Sequence, residues 1–164
     1  MKFLFIGIAL LAIFACKKNE STTPPTDPNY VYNVHKDQIL KYVNAVRVKG
    51  CDCGGTAMPA VPAVVWNDTL GKTSFLHSDD MYKNGFFSHV NLAGKNPGDR
   101  LTTQGYNWAT FAENISVSDI TDSAVIANWL SNSGNCKNIM GASYRYVGAG
   151  MSNLYWTLLL TSHK

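Results

Sequence analysis

The sequence predicts an α+β domain organised around an antiparallel sheet. Helical periodicity dominates the first half of the chain and strand-like alternation appears in the second. The C-terminus carries two apolar runs split by a polar break, as in a β-hairpin. At 164 residues, with 46% apolar and 15% charged side chains, the chain accommodates one domain with a real core, plus tails. The net charge of +3 is small, and no basic run is interleaved with aromatics, which argues against a nucleic-acid partner.

The elements follow in order. Over residues 35–49, Ile39, Val43 and Val46 share one helical stripe with Leu40 beside it, and Gly50 stops the helix. CDCGGTAMPAVPAVVW (51–66) is rich in Gly and Pro and reads as a connection lying against the domain. Asn67 or Asp68 caps a second helix to about Asn84, with Leu70, Ser74, His77 and Met81 on one face. Residues 85–109 read as loop, with one short helix near 97–104. TFAENISV (110–117) alternates as a strand, and 123–132 is a helix turning Val125, Ile126 and Trp129 inward. RYVGAGMSN and YWTLLLTS, broken around Ser152–Asn153, form the closing hairpin.

The N-terminus is a separate object. Lys2 precedes the apolar run FLFIGIALLAIFA (3–15), which has signal-peptide length and is too short to span a bilayer comfortably. Ala15–Cys16 resembles a bacterial lipobox, in which the cysteine is lipidated and becomes the new N-terminus. Ile13 and Phe14 depart from the commoner lipobox residues, and a secretory signal cut nearby is the alternative. Residues 1–16 are thus expected to be a lipoprotein signal ending at Cys16, residues 17–34 a flexible tether, and 35–164 the domain. The implied partner is the lipid bilayer. Lys17, where an aspartate would mark inner-membrane retention, favours an outer-membrane or cell-surface address.

Several short motifs recur in a known order. They are Val43, Asn44 and Arg47; His77, Asp80 and Met81; Ser88 and His89; Asp99, Arg100, Leu101, Gly105 and Tyr106; and Glu113, Asn114 and Ile115. Trp129, then Gly134, Asn138 and Ile139, then Gly148, Gly150, Tyr155 and Trp156 complete the set. Across residues 35–160 this resembles the bacterial CAP domain, of the superfamily of cysteine-rich secretory, antigen 5 and pathogenesis-related proteins, here in an SCP-like extracellular lipoprotein. The resemblance implies a three-layer α–β–α sandwich with a central antiparallel sheet. It also implies a cleft with two histidines and two glutamates, which binds zinc in some members.

The first histidine of that tetrad falls on His89 and the first glutamate on Glu113. The second glutamate position is Ala124 and the second histidine position is Asn135. Zinc needs about three protein ligands, and a neutral amide oxygen is a poor one. No metal or other cofactor is therefore expected. The leading reading is a non-catalytic envelope or surface domain whose cleft (His89, Glu113, Asn135) binds a small apolar ligand or an envelope or host protein. The alternative is a metal-assisted hydrolase acting on envelope or secreted material. His77 reads as a core-edge histidine bonded to backbone, Asp99 and Arg100 as a loop-closing ion pair, and Glu113 equally as a pin for backbone amides.

With Cys16 given to lipid, Cys51, Cys53 and Cys136 remain in an oxidising compartment. One of Cys51 and Cys53 is expected to bridge Cys136; the sequence leaves open which. A loop of about 80 residues closed this way gives of order 4 kcal/mol in the chain-entropy model.

Overall fold

The structure, a computed structural model, describes residues 28–164. The signal segment, the lipidation site Cys16 and tether residues 17–27 lie outside the described residues. Folded chain begins earlier than residue 35. Strand β1 (Tyr30–Val31) pairs antiparallel with β2 (Val34–His35), and Val34 is fully buried in the core. The turn residues Tyr32 and Asn33 both adopt positive φ, which reverses the chain within two residues.

Helix α1 (Lys36–Arg47) buries Ile39 and Val43, as the stripe predicts, with Val46 and Leu40 half-buried at its margin; it also buries Arg47, which the stripe does not include. The Gly- and Pro-rich segment holds a small ladder, β3 (Cys51–Asp52) with β4 (Ala57–Met58), and then β5 (Val65–Trp66). The Asn67 side chain accepts from the Leu70 amide and caps α2 (Asp68–Asn84); Gly85, at φ 65°, ends it in the left-handed conformation. Helix α3 (Pro97–Thr103) opens with a reciprocal capping box between Asn96 and Asp99 and has proline in its first turn.

Strand β6 (Trp108–Val117) starts two residues before the expected strand, through an irregularity between Trp108 and Thr110. Then follow α4 (Asp122–Ser131), α5 (Ser133–Ile139), β7 (Tyr146–Ser152) and β8 (Tyr155–His163). The hairpin turn contains Asn153 at φ 54°, a conformation asparagine tolerates better than most residues.

The main sheet has the order β5-β7-β8-β6. It is mixed rather than wholly antiparallel, because the two-residue β5 runs parallel to β7. Alternation along the strands separates the two faces. Val147, Ala149, Trp156, Leu158 and Leu160 join Ile39, Val43, Val125, Ile126, Trp129 and Ile139 in one core, beneath α1, α4 and α5. Leu159 joins Leu70, Leu101 and Tyr106 in a second core, beneath α2 and α3. This is the expected three-layer α–β–α sandwich. Helix α2 rests directly on the sheet because β7 carries glycines where it crosses: a Cβ on Gly148 would lie 2.2 Å from the Gly71 nitrogen, and one on Gly150 would lie 2.4 Å from the Phe75 nitrogen.

Candidate functional site

Glu113 is the centre of the site. It pairs with Leu159 across β6 and β8, so its side chain faces the α2/α3 layer. The carboxylate is 2% exposed, and both its oxygens are engaged. Oε2 accepts from Nη2 of Arg100 on α3, and Oε1 accepts from Nδ1 of His89 at 2.9 Å. His77 on α2 brings Nε2 to 4.0 Å from the same Oε1.

Two side chains hold the loop that carries His89. His77 is buried, and its Nε2–H donates to the Ser88 carbonyl at 2.9 Å, the backbone-bonded role expected of it. Burial pushes the His77 pKa down, against the pull of the Glu113 charge. Arg100 donates through Nη1 to the carbonyls of His89 and Lys95. The expected Asp99–Arg100 pair does not form: the Asp99 carboxylate accepts from the Asn96 amide in the capping box, and Arg100 turns to Glu113. Glu113 likewise binds side chains rather than backbone amides through its carboxylate.

With Nδ1 donating to Glu113, the His89 imidazole is fixed with Nε2 directed away from the carboxylate, and its side chain is 53% exposed. Around it the loop is apolar and exposed, with Phe87, Val90 and, at 71%, Leu92. On the inner side, His77 and Arg100 form part of the wall of a cavity of about 230 Å³ between α2, Asn91, Lys95 and α3.

Asn135 is not drawn into this contact set. Asn114, next to Glu113, points to the opposite face of β6, and its Nδ2 donates to the Asn135 carbonyl at 3.1 Å. Asn138 reaches the Asn114 side chain and the Glu113 carbonyl. The Asn135 amide nitrogen donates to the N-cap Asn132. Among the described residues no hydrogen bond joins the Asn135 side chain to His89 or Glu113; Asn114 and Asn138 link α5 to β6. Ala124, at the second glutamate position, sits in the first turn of α4. A zinc ion does not fit this donor set. One imidazole nitrogen is presented outward, the neighbouring carboxylate is held by a guanidinium, and the remaining positions offer an amide and a methyl group.

The cysteines resolve the open pairing: Cys53 bridges Cys136, and Cys51 is a free thiol. The bridge ties the β3–β4 ladder to α5, a helix beyond the 123–132 segment that the sequence reads as helical. Another residue missed as a site is Arg47, which is fully buried and donates to the carbonyls of Pro62, Ile139, Gly141 and Tyr144. Another cavity, of about 420 Å³, lies elsewhere, beside His35, Tyr42, Asp122 and Trp156.

These features define a class of protein: an α–β–α sandwich in which a loop histidine is oriented by a buried strand glutamate. The chain belongs to the Cysteine-rich secretory protein family (CAP), whose profile matches residues 40–157. It is 27% identical over 127 residues to the uncharacterized membrane protein YlbC of Bacillus subtilis, a match covering 77% of this chain and 34% of that one. An extracellular SCP-domain protein from Bacillus anthracis has the same fold, with TM-score 0.69 and 24% identity over 78% of this chain and 40% of that one. An outer surface protein from Borrelia burgdorferi matches with TM-score 0.65 and 16% identity, over 79% of this chain and 92% of that one. The chain spans about a third of the length of the curated relative and two fifths of the Bacillus anthracis protein.

Proposed function

We propose that this CAP domain is exported, anchored to the cell envelope through lipid on Cys16, and acts by binding rather than by catalysis. The state of Glu113 carries this reading. A carboxylate that is buried and held at both oxygens by Arg100 and His89 is a poor general base, because taking a proton would disrupt a buried ion pair. Its role is to orient the His89 ring.

The occupant is a small apolar ligand or an envelope or host protein. Phe87, Val90 and Leu92 are exposed on the same loop as an imidazole whose Nε2 supplies one polar anchor, the combination of apolar surface and few polar groups that ligand sites favour. The Bacillus anthracis protein is described as extracellular and the Borrelia burgdorferi protein as an outer surface protein, which agrees with an exported address. No helix among the described residues is long and apolar enough to cross a membrane.

Native extraction followed by mass spectrometry of the bound lipid fraction tests the binding claim. A retained apolar compound that is lost in Leu92→Asp supports it. Zinc-dependent hydrolysis of envelope material by the wild type, abolished in His89→Ala, would replace it with the hydrolase reading.

A further inference from the structure

The free thiol of Cys51 lies 3.8 Å from the Cys53 sulfur and 3.7 Å from the Cys136 sulfur, in contact with both ends of the bridge. Backbone geometry explains the placement. Residues two apart on an extended segment point to the same side, so Cys51 and Cys53 both face α5 while Asp52 turns outward. The Cys53 amide donates to the Thr56 carbonyl, and Ser133 on α5 donates to the Cys53 carbonyl at 2.9 Å, holding the ladder against the helix. Cys53 and Cys136 are fully buried beside Val61 and Met140, where an external thiol cannot reach them. Cys51 is only half-buried.

We propose that the three cysteines form a thiol–disulfide exchange site in which Cys51 carries the buried bridge to the surface, where an external thiol or dithiol takes it. The first step is internal. Cys51 loses its proton to solvent, and its thiolate attacks the Cys136 sulfur. The Cys51–Cys136 bond forms as the Cys53–Cys136 bond breaks, and Cys53 leaves as a thiolate that takes up a proton. One disulfide and one thiol stand on each side, so no oxidant or reductant is consumed. Cys51 sits beside the bridge at nearly equal distances from its two sulfurs, so its side chain must swing behind Cys136 before the in-line displacement. In the second step a dithiol attacks the now half-exposed Cys51 sulfur and releases the Cys136 thiol. Its second sulfur then closes on the first and frees Cys51: the dithiol is oxidised to a disulfide and the protein gains two thiols.

Burial, with the Asp52 carboxylate nearby, pushes the Cys51 thiol pKa up. Little thiolate is present at neutral pH, and the internal step accelerates as the pH rises.

The test uses the full chain. Wild-type protein is incubated without reductant at pH 7 and pH 9, quenched in acid, unfolded, alkylated and cleaved before Asp52, which separates Cys51 from Cys53. The expected map shows label on both Cys51 and Cys53 and two bridges to Cys136, interconverting faster at pH 9. Separately, bridge loss under a small dithiol is expected to slow at least about tenfold in Cys51→Ser, because a buried disulfide then has no accessible relay. Label on Cys51 alone in the wild type at both pH values would overturn the proposal. So would an unchanged rate of bridge loss in folded Cys51→Ser. The wild-type map decides the question even if the variant fails to fold.

Discussion

Arg47→Met removes a clamp that joins three parts of the chain. The guanidinium leaves the last turn of α1 and donates to Pro62 in the Pro-rich connection, to Ile139 at the end of α5, and to Gly141 and Tyr144 in the approach to β7. The bonds to Ile139 and Pro62, at 2.6 and 2.9 Å, are the shortest. A hydrogen bond from a charged donor contributes about 1.5–3 kcal/mol net, so these two alone account for about 3–6 kcal/mol. Methionine occupies much of the stem's volume and relieves the desolvation of a buried charge, which offsets part of the loss. The expected destabilisation is about 3–4 kcal/mol, a large share of the about 5–15 kcal/mol typical of a domain. Urea unfolding followed by circular dichroism, with the disulfide intact, measures it, and Tm should fall by about 10 °C. Arg47→Lys keeps the charge but lacks the planar fork, so it should recover only part of the stability. A loss below about 1 kcal/mol in Arg47→Met would refute the clamp, since unsatisfied buried carbonyls cannot be that cheap.

Three other outcomes are expected. His77 has its pKa lowered in the folded state, so the unfolded chain takes up the proton first as pH falls through about 6.5. Its contribution is full above that pH and is lost on the way down to the folded-state value, so His77→Gln should flatten the stability-versus-pH curve below about pH 6.5; parallel curves would contradict this. Cys136→Ala opens a bridge of sequence separation 83 and should cost about 4 kcal/mol in a thermal melt, whereas wild-type Tm would show the bridge to be dispensable. Cys16→Ser should move the protein from the membrane to the soluble fraction, and an unchanged membrane fraction with an uncut signal would remove the lipid anchor.

Local signals in the sequence located much of the fold. The stripe of Ile39 and Val43, the Asn67 cap, the inward Trp129 and the Asn153 turn all act within a few residues of themselves, so they are legible without the fold. Helix α5 escaped because seven residues carry too little periodicity, and its N-cap Asn132 looked like the end of the preceding helix. The two-residue β5 escaped because its pairing is set by β7, some eighty residues away. At the site, His89 and Glu113 were found through the family pattern and do touch. The sequence pairs Arg100 with its neighbour Asp99, because no local signal shows that Glu113 folds over it. The spacing of Cys51 and Cys53 did hold a usable clue, since an i, i+2 pair in an extended segment shares one face. Arg47 gave no sign of its burial, because the four carbonyls it serves come together only in the finished fold.

Isothermal titration of zinc into the full chain at neutral pH, with the bridge oxidised and Cys51 blocked, tests the central claim most directly. The account expects no stoichiometric heat, because His89 presents a single imidazole nitrogen, Glu113 is committed to Arg100, and Ala124 and Asn135 supply no strong ligand. Tight one-to-one binding that vanishes in His89→Ala would contradict it and restore a metal-dependent activity to this site.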